Sequence, residues 1–255
     1  MKEFARNLFF YLTVPKCVSC RRKLNRRDKA LCEECKAEYE RTKDRKCSVC
    51  FKKLIECKCP NEYLENHTVH KLVKVFRYKP SDNPEEKVAA NELIYNVKRV
   101  KRLDLIDFIS DEITVAIKNS LKYEECVITN IPRKRSRVLE YGLDHSEEIA
   151  KAIAKKLGIE YVKLLKSKLK TPQKKVHGEE RIKNAEFDCL KNAPIITGKR
   201  VILFDDIVTT GASMGASAML IKGLGAKSVY GACMAIAFKD KYKPFQKTES
   251  DYYWF

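Results

Sequence analysis

No stretch of the 255-residue chain approaches the roughly 18 consecutive apolar residues that a membrane-spanning helix needs. A helical membrane protein is therefore excluded. A secretory signal is lacking as well. Residues 1–12 set Phe4, Leu8, Phe9 and Leu12 at helical spacing but have neither a continuous apolar core nor a small-residue cleavage site. A short amphipathic helix and a cytoplasmic setting are expected instead. Acidic side chains are scarce beside basic ones: 34 Asp and Glu face 52 Lys and Arg, a net charge of +18. The excess is densest over residues 1–60, with 17 basic against 8 acidic side chains, and nearly vanishes over residues 201–255, with 6 against 5. Such a field favours polyanions, nucleic acid above all, although solvated lysine-rich helix faces give the same sum. Hydrophobic residues make up 44% of the sequence, ample for a packed core and too many for a disordered chain.

Cysteine is what the N-terminal part has in excess. Eight of eleven cysteines fall between residues 17 and 59, as Cys17-x-x-Cys20, Cys32-x-x-Cys35, Cys47-x-x-Cys50 and Cys57-x-Cys59. A close pair offers two thiolates to one metal, and two pairs complete a tetrahedral four-thiolate zinc site. Eight ligands make two sites. The simplest grouping is sequential, Cys17, Cys20, Cys32 and Cys35 on one zinc and Cys47, Cys50, Cys57 and Cys59 on the other; a crossed grouping uses the same ligands. A disulfide framework competes with zinc, but the missing secretory signal and the odd total of eleven argue against it. With no position left for water, both sites serve folding rather than catalysis. The loop between the first two pairs carries Arg21, Arg22, Lys23, Arg26, Arg27 and Lys29, the best nucleic-acid candidate in the chain. Cys126, Cys189 and Cys233 lie in apolar surroundings and read as free buried thiols. His67 and His70 read as ordinary surface histidines, since the eight thiolates already satisfy two metals.

The second concentration of chemistry is Arg200-Val-Ile-Leu-Phe-Asp205-Asp206-Ile-Val-Thr209-Thr210-Gly211-Ala212-Ser213. Val201 to Phe204 suits a strand buried on both faces. A helix pattern runs from Ser213 to Leu224, with Met214, Ala218, Leu220 and Ile221 for its buried side. Strand, acidic pair, small hydroxyl-rich turn and helix make an anion site of unpaired backbone N–H groups at a helix N-terminus. Gly211 allows close backbone approach, and Thr209, Thr210 and Ser213 add hydroxyl donors. Asp205 and Asp206 repel phosphate, and a vicinal diol suits them, each hydroxyl donating to a carboxylate. A ribose 5-phosphate fits both halves. The bland alternative is a buried strand that ends in a polar turn and a capped helix. The string resembles, at every specified position, the phosphoribosyl pyrophosphate motif of type I phosphoribosyltransferases.

Around that motif the chain alternates strand and helix patterns. A strand or hairpin arm is expected over 68–78, helices over about 85–101 and 104–119, a buried strand at Cys126–Ile131 and another at about 159–165. Asp144-His-Ser-Glu147 reads as a capping box for a helix that runs to Leu157 with Gly158 as its stop. A last strand is expected near 227–238. The fold class is α/β, a parallel sheet with helices on both faces and ligand at the C-terminal strand ends.

Thr171-Pro172-Gln173, then Arg181, Asn184 and Phe187, resemble a signature of the ComF family, as does a double zinc ribbon ahead of a phosphoribosyltransferase domain. The resemblance implies a ribbon module over residues 1–63 and a phosphoribosyltransferase-like domain over 64–255. It implies phosphoribosyl pyrophosphate as ligand, Mg2+ carried with it, and a role in DNA uptake with single-stranded DNA and competence or DNA-processing proteins as partners. Catalytic roles fall to Asp205, Asp206 and Arg181. Substrate contacts add Thr209, Thr210, Gly211, Ala212, Ser213, Gln173 and Arg133, the last in the turn where relatives hold pyrophosphate. The family shows Arg-Gly-Phe-Asn-Gln where this chain has Tyr141-Gly142-Leu143-Asp144-His145, so no role carries over there. No cluster of aromatic and polar residues marks a nucleobase pocket. An active transferase acting on a nucleobase or amine remains the competing function.

Overall fold

The computed structural model describes residues 15–25, 28–78, 88–99, 102–168, 187–191 and 196–237. The expected helix over residues 1–12 and the positions Gln173 and Arg181 lie outside them.

A five-stranded sheet positions everything else. Its strands are β1 (Val69–Arg77), β2 (Cys126–Asn130), β3 (Glu160–Tyr161), β6 (Arg200–Val208) and β7 (Ser228–Ile236). Their order is β1-β7-β6-β2-β3, and every pair is parallel. The segment over 68–78 is therefore an edge strand, not a hairpin arm. Two short strands, β4 (Leu165–Ser167) and β5 (Phe187–Cys189), pair antiparallel outside the main sheet. The single strand expected over 159–165 is thus split, because the chain leaves the sheet after Tyr161 to meet Phe187–Cys189.

Parallel strands covered on both faces need apolar side chains in succession, and Val201 to Phe204 supply four. Ile128, Ile202, Phe204 and Met234 point into one core. There they meet α4 (Leu103–Ser120) and α6 (His145–Leu157), through Ile109, Ile113, Ile149 and Ile153. Val127, Val201, Leu203 and Val229 point to the other side, onto Met214, Ala218 and Ile221 of α7 (Ala212–Gly223). Asp144 caps α6 by accepting from the backbone N–H groups of Ser146 and Glu147, and Gly158 ends it at φ 69°.

The cysteine-rich part brings α1 (Glu33–Lys43) and α2 (Glu62–Asn66). Its two halves dock on opposite cores. Cys17, Val18, Leu24, Leu31 and Tyr39 join the core of α4 and α6, beside α3 (Ala89–Val97). Cys47, Leu54, Cys57 and Leu64 join the core of α7.

One strand is longer than expected. β6 runs through the acidic pair to Val208, because Asp205, Ile207 and Val208 stay in register with Cys233, Ala235 and Ile236 of β7. The ladder satisfies the backbone of these residues, so the carboxylates project from a strand and not from a turn. The chain turns outward to β3 from β2, and the opposite way to β7 from β6. The crevice between β2 and β6 is thus the topological switch point, where open α/β sheets bind ligands.

Candidate functional site

The turn after β6 is open to solvent: Thr209, Thr210, Ala212 and Ser213 are exposed, and Gly211 between them is buried. Gly211 takes φ 89°, a left-handed conformation that a side chain would strain, and it precedes the first turn of α7. The Thr210 hydroxyl accepts from the Ala212 N–H at 3.3 Å. The first N–H groups of α7 have no partner within the helix, as at any helix N-terminus.

The two aspartates divide their work. Asp206 is buried, and its Oδ2 lies 2.7 Å from Nε2 of His145 and 3.1 Å from Nζ of Lys98. Burial alone would raise its carboxyl, but the His145 hydrogen bond and the Lys98 charge outweigh burial and hold it at about 2. Asp205 is partly buried, and its Oδ1 accepts the Asp206 N–H at 2.9 Å. Burial and the Asp206 charge push its carboxyl well above the ordinary carboxylate range. The two carboxylates are not equivalent: Asp206 already meets Lys98 and His145, whereas Asp205 has no cationic side chain within salt-bridge distance among the described residues.

His145 and Lys98 are the residues that sequence reasoning missed. His145 follows the cap Asp144, so its imidazole starts α6 at the switch point. Its Nδ1 is buried with no hydrogen-bond partner among the described residues. Lys98 ends α3. Beside them lies a shallow pocket lined by Lys98, Arg99, Arg133, Tyr141, Leu143 and His145. Arg133 is held there: its guanidinium donates to the Lys98 carbonyl at 2.9 Å and lies 5.1 Å from the Tyr141 ring centre, and its N–H donates to Asp144 at 3.0 Å. Lys98 and His145 thus join the acidic pair to a pocket that Arg99 and Arg133 also line, with the Arg99 guanidinium stacked 3.6 Å from the Tyr95 ring centre. The segment Tyr141–His145, to which no role carried over, supplies three of the lining residues, Tyr141, Leu143 and His145, the last being the hydrogen-bond partner of Asp206.

The cysteines gather in sequential groups. The sulfurs of Cys17, Cys20, Cys32 and Cys35 lie within 4.8 Å of one another, as do those of Cys47, Cys50, Cys57 and Cys59. A tetrahedral zinc with Zn–S bonds of about 2.3 Å sets its sulfurs about 3.8 Å apart, so both groups fit. Arg22 Nε points at the Cys20 sulfur from 3.4 Å. Burial raises the Cys20 thiol, yet the backbone N–H and guanidinium of Arg22 bring it down to about 6, toward the thiolate a metal requires.

The basic loop of the first group is largely engaged within the chain. Arg22 pairs with Glu34, Lys29 with Asp107 at 2.7 Å and Asp111 at 3.2 Å, and Arg21 donates to Asn96 at 3.3 Å. Arg26 and Arg27 lie outside the described residues.

The model of the phosphoribosyl transferase domain matches residues 143–255. The competence protein ComFC of Streptococcus pneumoniae is 26% identical over 206 residues, covering 79% of this chain and 86% of that protein. The ribose-phosphate pyrophosphokinase of Thermococcus kodakarensis is 32% identical over 83 residues, 32% of this chain and 25% of that enzyme. Among solved structures, adenine phosphoribosyltransferase from Leishmania tarentolae aligns with 53% of this chain and 72% of its own, at 16% identity and a TM-score of 0.35. The alignment with ComFC spans most of both proteins, and the domain match covers the strand, acidic pair and turn described above, so the chain is a ComF-like protein of the phosphoribosyltransferase fold.

Proposed function

We propose that the protein binds phosphoribosyl pyrophosphate at the switch point and handles single-stranded DNA in the cytoplasm during DNA uptake, with residues 1–63 as the ribbon module and 64–255 as the ligand-binding domain. The observation that carries the first half is the exposed Thr209-Thr210-Gly211-Ala212-Ser213 cup beside a pocket bearing Lys98, Arg99 and Arg133. The 5-phosphate occupies the cup, where backbone N–H groups and the helix dipole favour it. A ribose hydroxyl meets Asp205, and the pyrophosphate meets the three cations. Mg2+ brought in on the ligand supplies charge neutralisation at the pyrophosphate, held mostly by the ligand's own oxygens.

The cation-lined pocket also favours the second reading, an active phosphoribosyltransferase acting on a nucleobase or amine. Charge stabilisation of departing pyrophosphate by Lys98, Arg99 and Arg133 is the largest contribution such a site can make. One experiment separates the two. Phosphorus NMR of phosphoribosyl pyrophosphate with the protein, Mg2+ and a nucleobase mixture gives shifted or broadened ligand signals without release for a binding protein. Base-dependent pyrophosphate release identifies an enzyme. Unchanged spectra reject both.

For DNA, support comes from the second cysteine group. Val49 and Phe51 are 63% and 68% exposed on its first knuckle. Arg45, Lys46 and Lys52 around them are exposed and have no ion-pair partner among the described residues. An exposed ring amid unpaired cations suits a single strand, whose bases stack while its phosphates are neutralised. Fluorescence anisotropy with a labelled oligonucleotide over a salt series tests this; affinity independent of salt rejects it.

A further inference from the structure

The phosphate cup is not built by the phosphoribosyltransferase strand and helix alone. Two residues beyond the last ligand of the second cysteine group stands Asn61, and its amide touches both units. Oδ1 accepts the Leu64 N–H at 3.0 Å and so caps α2. Nδ2 donates to the carbonyl of Thr210 at 3.0 Å. Because a trans peptide sets its N–H opposite its C=O, holding the Thr210 carbonyl inward turns the Gly211 N–H away from Asn61. Leu64, fully buried, fills the space behind: a Cβ on Gly211 would lie 2.8 Å from its Cγ. Further along α7, a Cβ on Gly215 would lie 2.9 Å from Tyr63, whose ring stacks on His67 at 4.0 Å.

The same segment is pinned from behind. The Lys58 carbonyl accepts the Leu72 N–H at 2.9 Å, and the Cys59 carbonyl accepts from the buried Lys74 ammonium at 2.5 Å. Cys57 and Cys59, Asn61 and Thr210 thus form one short mechanical path, with only Pro60 between the last thiolate and the clamp.

We infer that metal binding at Cys47, Cys50, Cys57 and Cys59 sets the phosphate cup through Asn61, so that this metal and the phosphoribosyl ligand bind cooperatively. The inference rests on the ligand reading above. Asn61 is a positioning residue. The metal fixes where Asn61 stands, and Asn61 fixes the orientation of the Thr210–Gly211 peptide. Coupling of this kind is reciprocal: the factor by which metal tightens ligand is the factor by which ligand tightens metal.

The test uses the full chain loaded with zinc. Asn61→Ser keeps an oxygen able to cap α2 but cannot reach the Thr210 carbonyl. Titration calorimetry with magnesium phosphoribosyl pyrophosphate should show a five- to tenfold loss of affinity, the worth of about one hydrogen bond, with zinc content and melting midpoint unchanged. Zinc transfer to a chromogenic chelator should have two phases, one per cysteine group, and saturating ligand should slow only one of them in the parent protein and neither in the variant. Hydrogen exchange of residues 209–213 should quicken in Asn61→Ser without any ligand present. That last readout separates two failures. Absent binding by the parent protein rejects the ligand reading, while unchanged exchange and, where ligand binds, unchanged affinity in the variant overturn the coupling.

Discussion

The two cysteine groups begin as the same object. Lys16-Cys17-x-x-Cys20-x-x-Lys23-Leu24 recurs thirty residues later as Lys46-Cys47-x-x-Cys50-x-x-Lys53-Leu54. The backbone repeats too: Lys16 bridges Lys23 and Lys46 bridges Lys53, and Arg21 and Phe51 both take left-handed φ values of 64° and 57°. Their surroundings differ. The first knuckle is docked, with Val18 fully buried, its carbonyl held by Asn96 at 3.3 Å and the Lys16 carbonyl held by Arg102 at 2.6 Å. The second leaves Val49 and Phe51 exposed and sends its chain onward to Asn61. The same first-knuckle turn thus serves two ends, one followed by Cys32-x-x-Cys35 and the other by Cys57-x-Cys59. Each group also touches a different half of the site. The first holds Asn96, two residues before Lys98 and its contact with Asp206, and the second holds Thr210. What the knuckle does is set by its neighbours, not by its ligands.

Removing ligands should widen that difference most. Cys17→Ala takes away a fully buried sulfur next to Val18 and Leu31 in the larger core. Loss of a structural zinc removes most of what folds such a module, so melting followed by circular dichroism should fall steeply or the protein should fail to fold. Cys47→Ala, at the matching buried position in the smaller core, should leave a cooperative transition for the sheet domain. Equal losses would erase the distinction between docked and projecting knuckles.

Next in size is the acidic pair. Asp206→Asn removes the carboxylate that Lys98 and His145 face and should cost about 1–3 kcal/mol, since Lys98 is one-third exposed; Asp205→Asn should cost less stability while reducing ligand affinity. Chemical denaturation and calorimetry together check both. The pH dependence follows from the depressed carboxyl. Stability contributed by Asp206 is present above its unfolded value of about 4 and is lost as pH falls through about 2. The Asp206→Asn variant should lack that acid-sensitive step.

A smaller effect separates the knuckles as DNA contacts. Phe51→Ala should weaken oligonucleotide binding about tenfold, within the range for one stacked base, with no change in melting. Arg21→Ala, at the matching position, should leave DNA affinity unchanged. The reverse result would move the nucleic-acid contact to the first knuckle. Smallest of all is Lys29→Ala. Its pairs with Asp107 and Asp111 are about half exposed, so the loss should stay below about 1 kcal/mol and shrink with added salt.

Much of this is legible in the sequence. A short apolar run such as Val201 to Phe204 suits a strand covered on both faces, and Asp144 with Gly158 brackets a helix by local chemistry. Those signals act over a few residues. The second role of Asp206 was not legible, because its partners lie 61 residues away at His145 and farther still at Lys98. His145 looked like part of a cap, which it also is. The strand end was misplaced for the same reason: pairing with Cys233 to Ile236 carries β6 through the acidic pair, against the low strand preference of aspartate.

The sequence by itself determined the parts: two four-thiolate sets, a parallel sheet, and a hydroxyl-rich turn at a helix start. These follow from spacing and from the backbone's need for partners. Only the tertiary structure decided that Val18 is buried while Val49 and Phe51 are exposed, that Asp206 meets Lys98 and His145 while Asp205 accepts its neighbour's N–H, and that Asn61 reaches the Thr210 carbonyl. Each is a contact between segments far apart in the chain, chosen by which faces pack together, and no local pattern encodes which distant side chain fills a given space.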